Sequence, residues 1–216
     1  MRILIFLLLI IIFTACDHPK KPHIEELTWP KRTVKLDNGL GVLTIRLPDE
    51  FDTFYQWIDK SEVDTCYTDF KYRIQNSTFP IIKENGRSYY KYIDSIYAIT
   101  ISHSCDESCQ IKDIEMYEYM KQELLKRNKD RINELEKEFK HTYIDSINQL
   151  ETIITPFESG ILYPPLYKIK VRPKILICRI RNKNSIINIE FECAASNCDS
   201  FIPKMYKALQ TVEIKP

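Results

Sequence analysis

The chain has 216 residues, 44% of them hydrophobic and 28% charged, with 31 Lys and Arg against 30 Asp and Glu. That composition describes a soluble globular body large enough to bury a real core, and it excludes a disordered tail or a polytopic membrane protein. The near-zero charge argues against a general nucleic-acid binder, and the 4 glycines, Gly39, Gly41, Gly86 and Gly160, cannot assemble a phosphate-cradling loop, which removes the dinucleotide and P-loop classes.

The chain opens with a positive residue, Arg2, an unbroken apolar run from Ile3 to Phe13, and the small residues Thr14 and Ala15 before Cys16. As a helix that run would span only about 16 Å, roughly half a bilayer core, so it reads as an export signal rather than a membrane anchor. The ending Phe13-Thr14-Ala15-Cys16 resembles the lipobox of bacterial lipoproteins. The resemblance implies a signal peptide over residues 1–15 and a diacylglyceryl group on the Cys16 thiol. It also implies an exported domain attached to a bacterial membrane, the outer in preference to the inner. Residues 16–32 are proline-rich with mixed charge, as expected of a tether, and His18 and His23 fall within it. His103 and His141 are then left for a single domain over 33–216.

Thr33 to Leu36 and Leu40 to Leu47 flank Asp37-Asn38-Gly39, a hairpin signal because Asn-Gly accepts positive φ. Phe51, Phe54, Tyr55 and Ile58 recur at helical spacing after Pro48 and predict a short helix. Cys66 to Ile74, Ser88 to Ile93 and Ile96 to His103, rich in Tyr, Phe and Ile, predict strands. From 110 to 154 apolar residues from Ile114 to Ile154 keep a spacing of three or four without Pro or Gly, which predicts a long amphipathic helical insertion. Such a helix would run roughly 60 Å, so it either projects or folds back near Asn128-Lys129-Asp130.

Beyond Pro156, strands are predicted at Leu166 to Val171, Lys174 to Arg181 and Ile186 to Cys193. A two-residue loop at Lys183-Asn184 would set Cys178 against Ile189. Leu176, Cys178, Ile180, Ile187, Ile189 and Phe191 would then share a buried face, leaving Glu190 and Glu192 to solvent. A helix from Ser200 to Leu209, with Pro203 in its tolerant first turn, and a closing strand near Val212 to Ile214 complete the chain. The order defines an α+β fold, an antiparallel sheet flanked by helices with a long helical insertion. The closing pattern Ile189-Glu190-Phe191-Glu192, then Phe201, Met205 and Leu209 before Val212, is similar to that of PsbP-like domains. That resemblance implies an antiparallel sheet with flanking helices and no shared catalytic site.

Of the 7 cysteines, Cys16 is the one to which the lipobox resemblance assigns a lipid, and the even remainder in an exported chain favours disulfides. In the hairpin register Cys178 and Cys193 stand about 13 Å apart, beyond disulfide reach. Local bridges Cys105–Cys109 and Cys193–Cys198, with Cys66–Cys178, are preferred, and exchange between the local pairs stays open. The alternative is a zinc or copper site from His103, Cys105 and Cys109 with Asp106 or Glu107, which would support a thiol- or metal-dependent enzyme. The spacing matches no paired CxxC form and no catalytic signature is present, so the reading is a non-catalytic binding or protective module of the envelope, without cofactor or metal. Its partner contacts are expected at Lys126, Arg127, Lys129 and Arg131 on the charged face of the long helix.

Overall fold

The computed structural model describes residues 28–60, 68–79, 96–126, 142–158, 174–194 and 198–216. Strands β1 (Lys31–Leu36) and β2 (Gly41–Arg46) pair antiparallel around the expected turn, where Asn38 and Gly39 take φ of 56° and 66°. Gly41, at φ 99°, is required twice over: its conformation is left-handed, and a Cβ there would run into the backbone carbonyl of Lys215. Lys215 belongs to the last strand, β10 (Glu213–Lys215), which pairs with β2 and completes a three-stranded sheet in the order β1-β2-β10.

The second sheet has seven strands, all antiparallel, in the order β3-β4-β5-β9-β8-β7-β6. They are β3 (Thr53–Lys60), β4 (Thr68–Gln75), β5 (Ile96–Ser104), β6 (Tyr143–Ile147), β7 (Leu150–Glu158), β8 (Lys174–Asn182) and β9 (Ser185–Ala194). Helix α1 (Glu107–Lys126) follows β5, and α2 (Phe201–Leu209) follows β9 through a single 3-10 turn at Cys198–Ser200.

Each face of the large sheet has its own partner. On one face Ile99, Ile101, Leu176, Cys178, Ile180, Ile187, Ile189 and Phe191 join Leu43, Ile45 and Leu47 of the small sheet and Phe201, Met205 and Leu209 of α2 in one core cluster. On the other, Tyr117 of α1 meets Ile153 and Ile186, with Ile114, Met120, Leu124 and Ile144 around them. Pro203 sits in the first turn of α2, where its missing N–H has no intrahelical acceptor to lose. The β8–β9 hairpin has the expected register, Cys178 opposite Ile189, with Lys183 at φ 53° in the loop.

The α+β class holds, and two elements and the exposure of one residue differ from expectation. Residues predicted as a helix after Pro48 form β3 instead. The run Thr53 to Ile58 is almost wholly β-branched or aromatic, and its alternating exposure follows the two-residue period of a strand paired to β4. The long helical insertion is not continuous over 110–154: α1 is described over Glu107–Lys126, and Tyr143, Ile147, Leu150 and Ile154 lie on β6 and β7. The reversal between those strands is made by Asn148 and Gln149, at φ 48° and 69°, a turn that the apolar spacing concealed. Glu192 does not point to solvent but is 8% exposed, because that face of the sheet is also largely covered. The predicted strands at 88–93 and 166–171, and the fold-back point at 128–130, lie outside the described residues.

Candidate functional site

The β1–β2 turn meets the end of the large sheet at a polar seam. Tyr72 of β4 donates its hydroxyl hydrogen to Asp37 Oδ2 at 2.6 Å and accepts the Asp37 backbone N–H at 2.9 Å. His103 of β5 lies behind it, 1% exposed, with Nε2 3.3 Å from the Tyr72 oxygen and Nδ1 3.3 Å from the Ser104 carbonyl. Burial lowers the pKa of His103, against smaller opposing effects of the Ser104 carbonyl and the Asp37 carboxylate, and the ring is held neutral. Asn38 Nδ2 adds a bond to the Cys105 carbonyl at 3.0 Å, tying the turn to the start of α1.

Asp106 opens α1 by accepting the Ser108 backbone N–H and hydroxyl, each at 2.8 Å. Cys105, just before it, is half-buried and lines an open groove of about 610 Å³ with Asn38, Asn184 and, from α1, Glu107, Gln110, Ile111, Ile114 and Glu115. Burial, then the carboxylates of Asp69 and Asp37, push its thiol up to about 11, far from the thiolate a nucleophile or metal ligand needs. Cys109 is buried on α1 at 1% exposure. His103 faces the core shared with the small sheet, whereas α1 covers the opposite face of the large one. Among the described residues, no three His, Cys, Asp or Glu side chains gather as a metal would require.

Two further clusters were not found by sequence reasoning. Ser104 donates its hydroxyl to Asp113 of α1 at 2.5 Å and lies 3.4 Å from Asp69 of β4. Burial raises the pKa of both carboxyls, and for Asp69 the neighbouring Asp113 and Asp59 add to the rise while Lys71 opposes it. On the same face Arg73 is 4% exposed. Its Nε donates to Thr100 Oγ1 at 2.9 Å, a terminal nitrogen lies 3.7 Å from Glu192, and the guanidinium sits 5.3 Å from the Trp57 ring centroid. The period-two charges of β4, Asp69, Lys71 and Arg73, were the available signal, but they read as a solvated face until the opposite side of the sheet is known to be covered.

The expected Cys193–Cys198 bridge is present, with Cα atoms 5.7 Å apart. The other pairings are corrected: Cys105, Cys109 and Cys178 form no disulfide. Cys178 is fully buried in the apolar core, and burial raises its thiol to about 12. Cys109 is turned inward under α1 while Cys105 stays at the groove. Lys126 is exposed at the end of α1, 3.4 Å from Glu123. Cys16, Cys66, Arg127, Lys129 and Arg131 lie outside the described residues.

No protein-family model and no curated protein matches the chain. Among solved structures, PA94 from Pseudomonas aeruginosa, a protein of unknown function, aligns over 86% of this chain and 98% of its own at 9% identity and a TM-score of 0.33. A likeness at that level assigns neither fold nor function to this chain.

Proposed function

We propose that this protein is a lipid-anchored component of a bacterial cell envelope, held to the outer membrane through Cys16 and acting as a non-catalytic binding or protective module. The anchor rests on the Arg2 to Cys16 leader and the proline-rich tether behind it. The observation that carries the non-catalytic reading is the chemistry around Cys105. Its thiol is held protonated, and the one histidine near it in sequence is committed to Tyr72 and Ser104 in the core. The alternative, a thiol- or metal-dependent envelope enzyme using His103, Cys105 and Cys109, would need Cys105 exposed as a thiolate.

Lys126 stands exposed where partner contact is proposed, and the reading extends that patch to Arg127, Lys129 and Arg131. Contacts of this kind are salt-sensitive.

The test has two arms. Intact mass of membrane-fractionated protein is expected to show cleavage before Cys16 and a lipid adduct on it, and a Cys16→Ser protein that still fractionates with membranes refutes the anchor. In the native protein, alkylation at pH 8 is expected to reach Cys105 slowly and to leave Cys178 unlabelled. Rapid labelling of Cys105 near neutral pH, together with a turnover abolished by Cys105→Ser, replaces the module by the enzyme.

A further inference from the structure

Strand β3 is the outermost strand of the large sheet, and among the described residues no strand pairs with its outer side. Phe54 and Ile58 lie on its core-side face opposite Ile74 and Phe70 of β4, yet they are 50% and 46% exposed, whereas Ile74 is 2% exposed. An eight-residue edge with exposed apolar side chains is a template for another strand, and natural proteins normally guard such edges with charge or proline along their length. Here the exposed charges flank the strand instead: Asp52 before it, exposed while its carboxylate accepts the Ser77 N–H and hydroxyl at 2.8 Å, and Lys60 at its end.

We propose that β3 pairs antiparallel with β3 of a second copy of this chain, about a two-fold axis through Gln56, so that two seven-stranded sheets join edge to edge. The strand is self-complementary in that register. Phe54 stands opposite Ile58 of the partner subunit, Tyr55 opposite Trp57 of the partner subunit, and Asp52 opposite Lys60 of the partner subunit. Each of these relations is repeated by symmetry, giving apolar, aromatic and opposite-charge pairs on a strand that is its own partner.

Neighbouring registers lose this match. An axis at Tyr55 sets Phe54 against a glutamine and Asp52 against an isoleucine. An axis at Trp57 sets Phe54 against a lysine and Gln56 against an isoleucine. An axis between Gln56 and Trp57 sets Phe54 against an aspartate, mixing side chains of opposite faces, which the strand period penalises. The charge pairing of Asp52 with Lys60 and the apolar pairing of Phe54 with Ile58 therefore select a second copy over an unrelated strand. This interface is independent of the membrane anchor and of the partner contacts proposed above.

The experiment is sedimentation and cysteine cross-linking of the full chain in detergent. The wild type is expected to dimerise reversibly with concentration. Residues facing each other across an antiparallel pair have Cα atoms about 4.5–5.5 Å apart, within disulfide reach, while diagonal neighbours lie at roughly 7–8 Å. Gln56→Cys is thus expected to form a covalent dimer under copper-phenanthroline oxidation, above the background of the native cysteines. Tyr55→Cys is expected not to, and a mixture of Phe54→Cys with Ile58→Cys is expected to cross-link across the two variants. Lys60→Glu, an exposed change that leaves the fold alone, places like charges opposite each other at both ends and should weaken dimerisation about tenfold. A chain that stays monomeric at micromolar concentration overturns the proposal. So does a dimer that cross-links through Tyr55→Cys rather than Gln56→Cys, or one indifferent to Lys60→Glu.

Discussion

Replacing Glu192 with Gln tests whether the covered polar face of the large sheet contributes to stability. Arg73 and Glu192 have side chains only 5% and 11% exposed, and their charged atoms lie 3.7 Å apart. At an effective dielectric of about 20, two unit charges at that separation attract by about 4.5 kcal/mol. Removing one partner takes a counter-charge away from a buried guanidinium, which in comparable settings costs about 3–5 kcal/mol. Thr100 and the Trp57 ring still contact Arg73, which places the expected loss near the lower end, about 3 kcal/mol. Replacing both residues, as Arg73→Met with Glu192→Leu, removes the buried charges together and should cost much less than the single changes added. Urea unfolding of the four proteins yields the coupling energy. A Glu192→Gln protein within about 0.5 kcal/mol of the wild type, or a double variant that loses the full sum, would refute the argument.

Breaking the Cys193–Cys198 bridge by changing both residues to Ser should destabilise the protein by about 2 kcal/mol, the loop-closure entropy of so short a segment, read as a lower unfolding midpoint; an unchanged midpoint counts against it. Because the pKa of His103 is lowered by folding, its contribution is intact above about 6.5 and is lost as pH falls below that value. His103→Gln should flatten the decline in thermal midpoint between pH 7 and pH 5, and an equally steep decline in the variant removes His103 as its source. Asp113 has the opposite sign. Its raised pKa makes its contribution favourable below the unfolded value of 3.8 and lost as pH rises, so Asp113→Asn, which can still accept from Ser104, should raise the midpoint at pH 7 and leave it nearly unchanged in acid.

Local signals alone settled several parts of this protein. The Asn38-Gly39 turn, the β8–β9 hairpin with its register, α2 with Pro203 in the first turn, and the Cys193–Cys198 pair were legible because each depends on residues close in the chain. Two elements misled for one reason. Apolar residues three and four apart fit a helix, but in β3 and in β6–β7 they fall among β-branched and aromatic residues whose strand neighbours are distant in sequence. Tertiary structure alone decided which polar residues are enclosed. Arg73 meets Glu192 because β4 and β9 flank β5, and Asp37 meets Tyr72 and His103 because the small sheet docks on the large one. It also gave the sequence neighbours His103, Cys105 and Cys109 different surroundings, because His103 is enclosed within β5, Cys105 lies just past the strand's end at the groove, and α1 turns Cys109 inward. Spacing along the chain can bring chemistry-bearing residues close in number, but the covering of both sheet faces determines which of them meet, which are desolvated and which stay in water.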